Sequence, residues 1–122
     1  MAKEIEKKEV DIQREICEHL HANGFFFWRS NNVPVYSRSN DGKMRFRALP
    51  KYTPKGLPDI CIIYNGMFIG VEVKRPGGKL RPEQKDICKQ ITDNGGKYIL
   101  ADSIDLFTAS IKKYLDYTET CD

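Results

Sequence analysis

The chain has 122 residues and a formal net charge of +3, and 40% of its residues are hydrophobic and 30% charged. This length and composition are typical of one soluble globular domain, so we assign residues 1–122 to a single domain. No apolar run is long enough to span a membrane and the N-terminus lacks the apolar core of a signal peptide, which excludes a membrane protein and predicts a cytoplasmic location.

The first predicted element is an amphipathic helix over residues 4–23 that ends at Gly24. Glu9 falls on its apolar stripe, where a carboxylate is unusual. Glu9 either favours the helix dipole and reaches water, or points at a cation bound elsewhere in the fold. His19 and His21 do not share a helix face, so we interpret both as solvated. The apolar stripe consists of Ile5, Ile12, Ile16 and Leu20.

The next stretch combines aromatic and basic residues. Four successive aromatic residues at 25–28 predict a short buried strand. Asp41-Gly42 predicts a hairpin turn between residues 33–39 and 43–49. Residues 29–58 hold seven basic residues against one acidic residue, with tyrosine and phenylalanine interleaved. Such clustering favours a nucleic-acid-binding surface, and the alternative is a solvated loop.

Residues 59–64 and 67–74 predict a β-hairpin, because Asn65-Gly66 between them is a strong type I′ turn signal. A two-residue turn places Asp59 directly opposite Glu72, where like charges destabilise each other. Strand alternation places Lys74 on the same face as Glu72. The opposite face is apolar and consists of Ile60, Ile62, Tyr64, Ile69, Val71 and Val73.

The two opposed acids allow two interpretations. One is a solvated charged edge that Lys74 neutralises. The other is a site for a hard divalent cation, since Mg²⁺ is commonly held by one or two carboxylates plus phosphate oxygens of the substrate. The cation site accounts better for two acids placed opposite each other. It also accounts better for the presence of Gly56 and Pro58, which shape the chain just before Asp59.

The remainder predicts a turn at residues 75–79, a helix over 82–94, a strand over Lys97–Ala101 and a final helix capped by Asp102 or Ser103. Gln84 lies one turn before the apolar stripe of the first of these helices, where surface polarity would explain it equally well. Residues 117–122 are expected to fray. The four cysteines (Cys17, Cys61, Cys88 and Cys121) are scattered without Cys-x-x-Cys spacing, which favours reduced thiols and no zinc site.

This order of elements and motifs resembles the virus-type replication–repair nuclease (VRR-NUC) family of the PD-(D/E)xK nuclease superfamily, and in particular its stand-alone phage members. The resemblance implies an α/β fold with a central mixed sheet flanked by helices in the order αβββαβα. The motifs that carry it cover most of the chain. They are Glu9 with Gln13, residues 28–31, residues 56–59, residues 72–74 and Gln84.

The same resemblance implies the roles of the site residues. Asp59 and Glu72 would be metal ligands for Mg²⁺, with Mn²⁺ as a substitute. The backbone carbonyl of Val73 would complete the site, and Glu9 would contribute directly or through water. Lys74 would orient or deprotonate the attacking water. Gln84 would brace the site or touch the scissile strand.

The implied activity is endonucleolytic hydrolysis of branched DNA by a homodimer, most closely that of a Holliday-junction resolvase acting in the host cytoplasm if the protein is phage-encoded. The alternatives are a restriction-like, flap or nicking endonuclease, or a non-catalytic nucleic-acid-binding module. The expected DNA-contacting residues are Arg29, Asn31, Arg38, Lys43, Arg45, Arg47, Lys51, Lys55, Lys79 and Arg81.

Overall fold

The computed structural model describes residues 7–30, 35–38, 40–47 and 50–119, with the backbone alone for residues 35–38, 44–47 and 116–119. Within these described residues, three helices and six strands follow one another. They are α1 (Glu9–Ala22), β1 (Phe26–Arg29), β2 (Val35–Arg38), β3 (Met44–Arg47), β4 (Ile60–Tyr64), β5 (Met67–Val73), α2 (Pro82–Asp93), β6 (Lys97–Ala101) and α3 (Ile104–Glu119).

The main sheet has four strands in the order β1-β4-β5-β6. Its first three strands are antiparallel, and β6 runs parallel to β5. With α1, α2 and α3 on its faces, this sheet gives the predicted αβββαβα arrangement and confirms the predicted fold class. The separate β2–β3 hairpin is inserted between β1 and β4.

The predicted register of the central hairpin is confirmed. Tyr64 pairs with Met67, and the ladder continues to Ile60 opposite Val71. Asn65 and Gly66 have φ of 47° and 79°, as a type I′ turn requires. The β2–β3 hairpin is confirmed as well, because Arg38 pairs with Met44 across the predicted turn.

The hydrophobic core lies on one face of the main sheet, under α1 and α3. The apolar face of the β4–β5 hairpin is buried there, as its alternation predicts. On the opposite face α2 packs over β6 and the adjoining part of β5. The core residues from the three outer elements are Ile12, Ile16, Leu20, Ile99, Ala101, Phe107 and Ile111.

Three sequence predictions need correction. Lys7 and Lys8 precede the first helix, which begins at Glu9 rather than at residue 4, and Ile5 lies outside the described residues. The aromatic strand is buried on one face only, because Phe25 and Phe27 pack against the core whereas Phe26 is 67% and Trp28 41% exposed. The last helix continues to Glu119, so residues 117–119 are helical where fraying was predicted. The predicted tail residues 120–122 lie outside the described residues.

Other local predictions are confirmed by particular contacts. Gly24 follows α1 with φ of 73°, as expected of a residue that ends a helix. The Ser103 hydroxyl accepts a hydrogen bond from the Leu106 N–H at 3.0 Å, which caps α3. Cys17, Cys61 and Cys88 are free thiols, and Cys121 lies outside the described part of the chain. No helix in the described ranges has the length and apolar character needed to cross a membrane.

A candidate metal centre at the end of the central hairpin

Two close backbone approaches fix the position of Asp59. A Cβ atom on Gly70 would lie 2.6 Å from Cγ of Pro58, so the fully buried proline ring rests on bare backbone of β5. A Cβ atom on Gly56 would lie 2.8 Å from the Glu83 carbonyl, and Gly56 has φ of 82°. The loop that delivers Asp59 is therefore held against both β5 and the first turn of α2.

Asp59 is tied into the sheet by its backbone and its side chain. Its carbonyl accepts a hydrogen bond from the Ser30 N–H at 2.8 Å, which extends the pairing with β1. Its Oδ2 atom accepts a hydrogen bond from the Val73 N–H at 2.8 Å. The carboxylate is thereby turned toward the last residues of β5, where Glu72 lies.

Glu72 is held by the first turn of α2. The side-chain amide of Gln84 donates a hydrogen bond to Glu72 Oε1 at 2.8 Å. The Oε1 atom of Gln84 accepts a hydrogen bond from the Arg81 N–H at 2.9 Å. Gln84 therefore links the start of α2 to the acid. The side chain of Glu72 is buried, with a residue exposure of 3%, yet its Oε2 atom has no hydrogen-bond partner among the described residues.

Burial shifts the ionisation of both acids. Removal from water, followed by the charge of Asp59, raises the pKa of Glu72 from 4.5 to about 8. Burial also raises the pKa of Asp59, against the opposing effect of the Val73 hydrogen bond. The two carboxyls are close enough to share a hydrogen bond when one is protonated. Without a cation, this pair therefore retains a proton near neutral pH.

Lys74 lies within the same buried group. Its Nζ atom is 3.9 Å from Glu72 Oε1, and the residue is only 7% exposed. The turn at residues 75–78 covers its stem, because a Cβ atom on Gly78 would lie 3.1 Å from Cβ of Lys74. Gly78 therefore has a steric function in placing this lysine beside the acids.

Glu9 lies at the margin of the group. It is the first residue of α1 and is exposed, and its Oε1 atom accepts a hydrogen bond from the Arg75 N–H at 3.4 Å. Its charge contributes to the raised pKa of Asp59 and of Glu72, so it lies near them. Within the described residues, no three His, Cys, Asp or Glu side chains converge tightly enough to form a metal site by themselves.

The structure excludes the solvated charged edge, since Glu72 and Lys74 are buried. It fits a hard cation for a specific reason: Glu72 Oε2 is a buried carboxylate oxygen beside a second carboxylate, and no atom in the described part of the chain is its hydrogen-bond partner. An uncompensated atom of this kind is costly unless a proton or a metal satisfies it. Asp59 and Glu72 are the residues that would hold Mg²⁺, with Val73 and Glu9 available to complete its coordination.

Among the predicted DNA-contacting residues, those whose side chains are described lie on the surface. Arg29 donates a hydrogen bond to Gln13 at 3.3 Å, and Lys51 lies over the Tyr52 ring at 5.1 Å from its centroid. Asn31 lies outside the described residues, as do the side chains of Arg38, Arg45 and Arg47. The exposed residues are Arg29, Lys43, Lys51, Lys55, Lys79 and Arg81.

Sequence reasoning missed two residues near the site. Gly70 lacks a side chain and so leaves room for the Pro58 ring. A glycine inside a strand often marks such a close approach, and this is the signal that would have identified Gly70. Tyr98 lies opposite Gly70 in the ladder, and its hydroxyl is buried without a partner among the described residues. Burial, together with the charge of Glu72, raises the pKa of Tyr98. No local pattern distinguishes it from an ordinary strand tyrosine.

No protein-family model matches this chain, and no curated protein matches it either. Solved structures do. One, named "VRR_NUC domain", superposes with a TM-score of 0.62 at 22% identity over 88% of this chain and 98% of its own. Another, named "VRR_NUC domain protein", gives a TM-score of 0.62 at 18% identity over 92% of this chain and 91% of its own. The fold is therefore that of the VRR_NUC domains, as the motifs predicted.

Proposed function

We propose that this protein is a Mg²⁺-dependent endonuclease that hydrolyses phosphodiester bonds in branched DNA, with the four-way junction as its principal substrate. The observation that carries the proposal is the Asp59–Glu72 pair. Glu72 is buried, its Oε2 atom has no hydrogen-bond partner among the described residues, and Lys74 Nζ lies 3.9 Å from its Oε1 atom. The fold supports it, because two solved structures named as VRR_NUC domain proteins superpose on most of this chain with a TM-score of 0.62.

The chemistry requires a polarised phosphate, an activated water and compensation of negative charge, and bound Mg²⁺ supplies the first of these. Lys74 supplies positive charge where the phosphate oxygens gain negative charge, and it orients the water by hydrogen bonding. Because Lys74 is almost inaccessible to solvent, its charge acts in a medium of low dielectric constant, where it is more effective.

Gln84 and Val73 hold the two acids in place. The Gln84 amide occupies Glu72 Oε1, so Oε2 is the oxygen that would be free to bind a cation. The Val73 N–H occupies one oxygen of Asp59 and fixes the direction of the other. Both acids are thus oriented before a cation arrives, which reduces the free energy needed to organise the site.

The proposed assembly is a symmetric homodimer. One domain of this size offers one candidate active site, whereas resolution of a four-way junction requires two cuts on opposed strands. A junction is close to two-fold symmetric, so a C₂ dimer presents two sites in the matching arrangement.

Cleavage of a panel of DNAs tests the proposal directly. Linear duplex, flap and four-way junction DNAs of equal length are incubated with and without Mg²⁺, and with Mn²⁺ as a substitute. We expect cleavage only with the metal, fastest on the junction. Preferred cutting of the flap or of one linear sequence would identify the flap or restriction-like alternative. Tight binding without any cleavage would identify a non-catalytic module.

A supercoiled plasmid with an extruded cruciform tests the dimer. Two coupled cuts within one binding event convert it to linear DNA, and light scattering gives the solution mass independently. A monomer that leaves only nicked circles would refute both the dimer and the resolvase assignment.

A further inference from the structure

The uncovered part of the main sheet carries an aromatic pair that the proposed chemistry does not use. Phe26 and Trp28 project from the same face of β1, and their rings meet edge to face with centroids 5.8 Å apart and an interplanar angle of 71°. They are 67% and 41% exposed, and Ile63, which is opposite Phe26, is 43% exposed. We call Phe26 and Trp28 the aromatic platform.

The aromatic platform lies on the same face of the sheet as the candidate metal centre. Trp28 pairs with Cys61 in β4, and Asp59 is two residues earlier, so alternation places Trp28 and Asp59 on one face. The Ser30–Asp59 hydrogen bond continues this pairing up to the acid. Two residues along a strand and one strand across correspond to about 9 Å between their backbones. DNA held at the metal centre therefore passes within reach of Trp28.

The size of the aromatic platform argues against a second copy of the chain as its occupant. Its two rings, at the exposures above, present on the order of 200 Å² of apolar surface. A stable protein interface buries roughly 800 Å² on each partner. One nucleobase is of the right size, because it can stack on the face of one ring and meet the other ring at its edge, as the interplanar angle of 71° requires. The charge near the candidate metal centre also fits DNA, since the exposed cations Lys79 and Arg81 precede α2, whose first turn contacts Glu72 through Gln84.

We propose that the aromatic platform stacks on a nucleobase that has lost a stacking neighbour at a DNA branch point. Bases inside a linear duplex are stacked on both faces, whereas a base at a branch or flap offers a free face. Stacking of a base on an aromatic side chain contributes roughly 1–3 kcal/mol and tolerates any sequence. The aromatic platform therefore selects branched over linear DNA without reading sequence. This inference rests on the proposed function and names how that site selects its substrate.

Trp28 is the one tryptophan in the sequence. Tryptophan fluorescence therefore reports on the aromatic platform alone. Three DNAs are titrated in EDTA, which prevents cleavage: a linear duplex, a four-way junction, and the same junction with abasic nucleotides at the branch. We expect quenching of Trp28 by the intact junction and much less by the other two. The abasic junction is the matched control, because it retains the phosphates and lacks only the bases.

Variants test the same inference through anisotropy of labelled DNA. Trp28→Leu is expected to lower junction affinity roughly 5- to 150-fold, the equivalent of one lost stacking contact, and so to reduce the ratio of junction to duplex affinity. Trp28→Phe retains an aromatic face and restores most of that ratio. Leu106→Ala, which alters a 43% exposed residue of α3 under the opposite face of the sheet, leaves the ratio unchanged.

Equal quenching by intact and abasic junctions would overturn the inference. So would a Trp28→Leu protein that changes from dimer to monomer in light scattering and loses affinity for junction and duplex equally, because the platform would then be a subunit interface. The proposed function can fail independently of this inference. Base-dependent quenching without Mg²⁺-dependent cleavage would refute the nuclease and support base stacking on the aromatic platform. Junction cleavage without base-dependent quenching would support the nuclease and refute base stacking.

Discussion

The Val73 N–H donates a hydrogen bond to the Asp59 carboxylate across the end of the β4–β5 hairpin, at 2.8 Å. This contact joins the last residue of one strand to the residue before the other, beyond the regular ladder. It brings Asp59 toward Glu72, the neighbour of Val73 in sequence. The geometry that pairs the two acids is thus built from the backbone of the hairpin itself.

Loss of the lysine should separate chemistry from metal binding. Lys74→Ala is expected to reduce cleavage by about 100-fold or more while the thermal shift produced by Mg²⁺ persists, because the lysine is not expected to be a ligand. Asp59→Ala should lose both. Lys89→Ala, which removes an exposed lysine of α2, is the matched control and should behave as wild type. Normal cleavage by Lys74→Ala would contradict the mechanism.

At a pH above about 8, where Glu72 has lost its proton and both acids are charged, Asp59→Asn should stabilise the metal-free protein slightly. The change removes the repulsion between opposed acids, worth roughly 0.2–1 kcal/mol, and an asparagine oxygen still accepts the Val73 N–H. Asp59→Ala loses that hydrogen bond and should instead lower the melting temperature. Melting curves in EDTA compare the three proteins. A large destabilisation by Asp59→Asn would show that the carboxylate has a further structural partner.

The stability of the metal-free protein should fall as the pH rises toward and through about 8. The folded state raises the pKa of Glu72 from 4.5 to about 8, so between these values the folded protein binds a proton that the unfolded chain has released. The resulting stabilisation is complete below the lower value and is lost as the pH passes the upper one. The raised pKa of Asp59 acts in the same direction.

Melting temperatures in EDTA across this pH range measure the effect. Glu72→Gln should flatten the profile, whereas Glu18→Gln, an exposed acid of α1, should leave it unchanged. Saturating Mg²⁺ should reverse the trend at the alkaline end, because the cation competes with the proton on the buried acids. A profile of Glu72→Gln identical to that of the wild type would assign the proton to another group.

The register of the central hairpin was predictable because it depends on two adjacent residues. Asn65-Gly66 specify the turn, and the turn then places every residue up to Asp59 and Glu72. Two helix ends were predictable for the same local reason, because Gly24 ends α1 and Ser103 caps α3. The two acids of the candidate site therefore followed from the sequence alone.

Burial at the site was less predictable, because it depends on segments that are distant in sequence. The sequence left a solvated edge as the alternative for Glu72 and Lys74, and what excludes it is their cover by α2 and the turn at residues 75–78. The aromatic strand shows the opposite error, a burial that was predicted for both faces and is absent from one. Apolar residues predicted a buried strand, but α2 packs over β5 and β6 and leaves Phe26 and Trp28 exposed.

Neutralisation of Arg45 and Arg47 should weaken binding to all DNA sequences alike. Both residues belong to β3, whose backbone forms the inserted hairpin. If they contact phosphates, the double alanine variant should flatten the dependence of log Kd on log salt by roughly one unit for each lost contact. Titrations of two unrelated sequences at several salt concentrations measure this. A changed sequence preference with an unchanged salt slope would show that the hairpin reads bases, as a restriction-like enzyme does.

Gly70→Ala should disrupt the candidate site by displacing the Pro58 ring that packs against Gly70. The new methyl group would lie 2.6 Å from Pro58 Cγ and 3.2 Å from its Cβ, so the ring that precedes Asp59 must move. Overpacking of this kind costs about 1–3 kcal/mol in the free energy of unfolding, and displacement of Asp59 should also weaken Mg²⁺ binding. Adding Pro58→Ala removes the ring atom at the shorter distance, so the double variant should lose less than the sum of the two single changes. Chemical denaturation and Mg²⁺-dependent thermal shifts of the four proteins measure this coupling. Strictly additive losses would show that Gly70 matters for strand conformation rather than for seating Pro58.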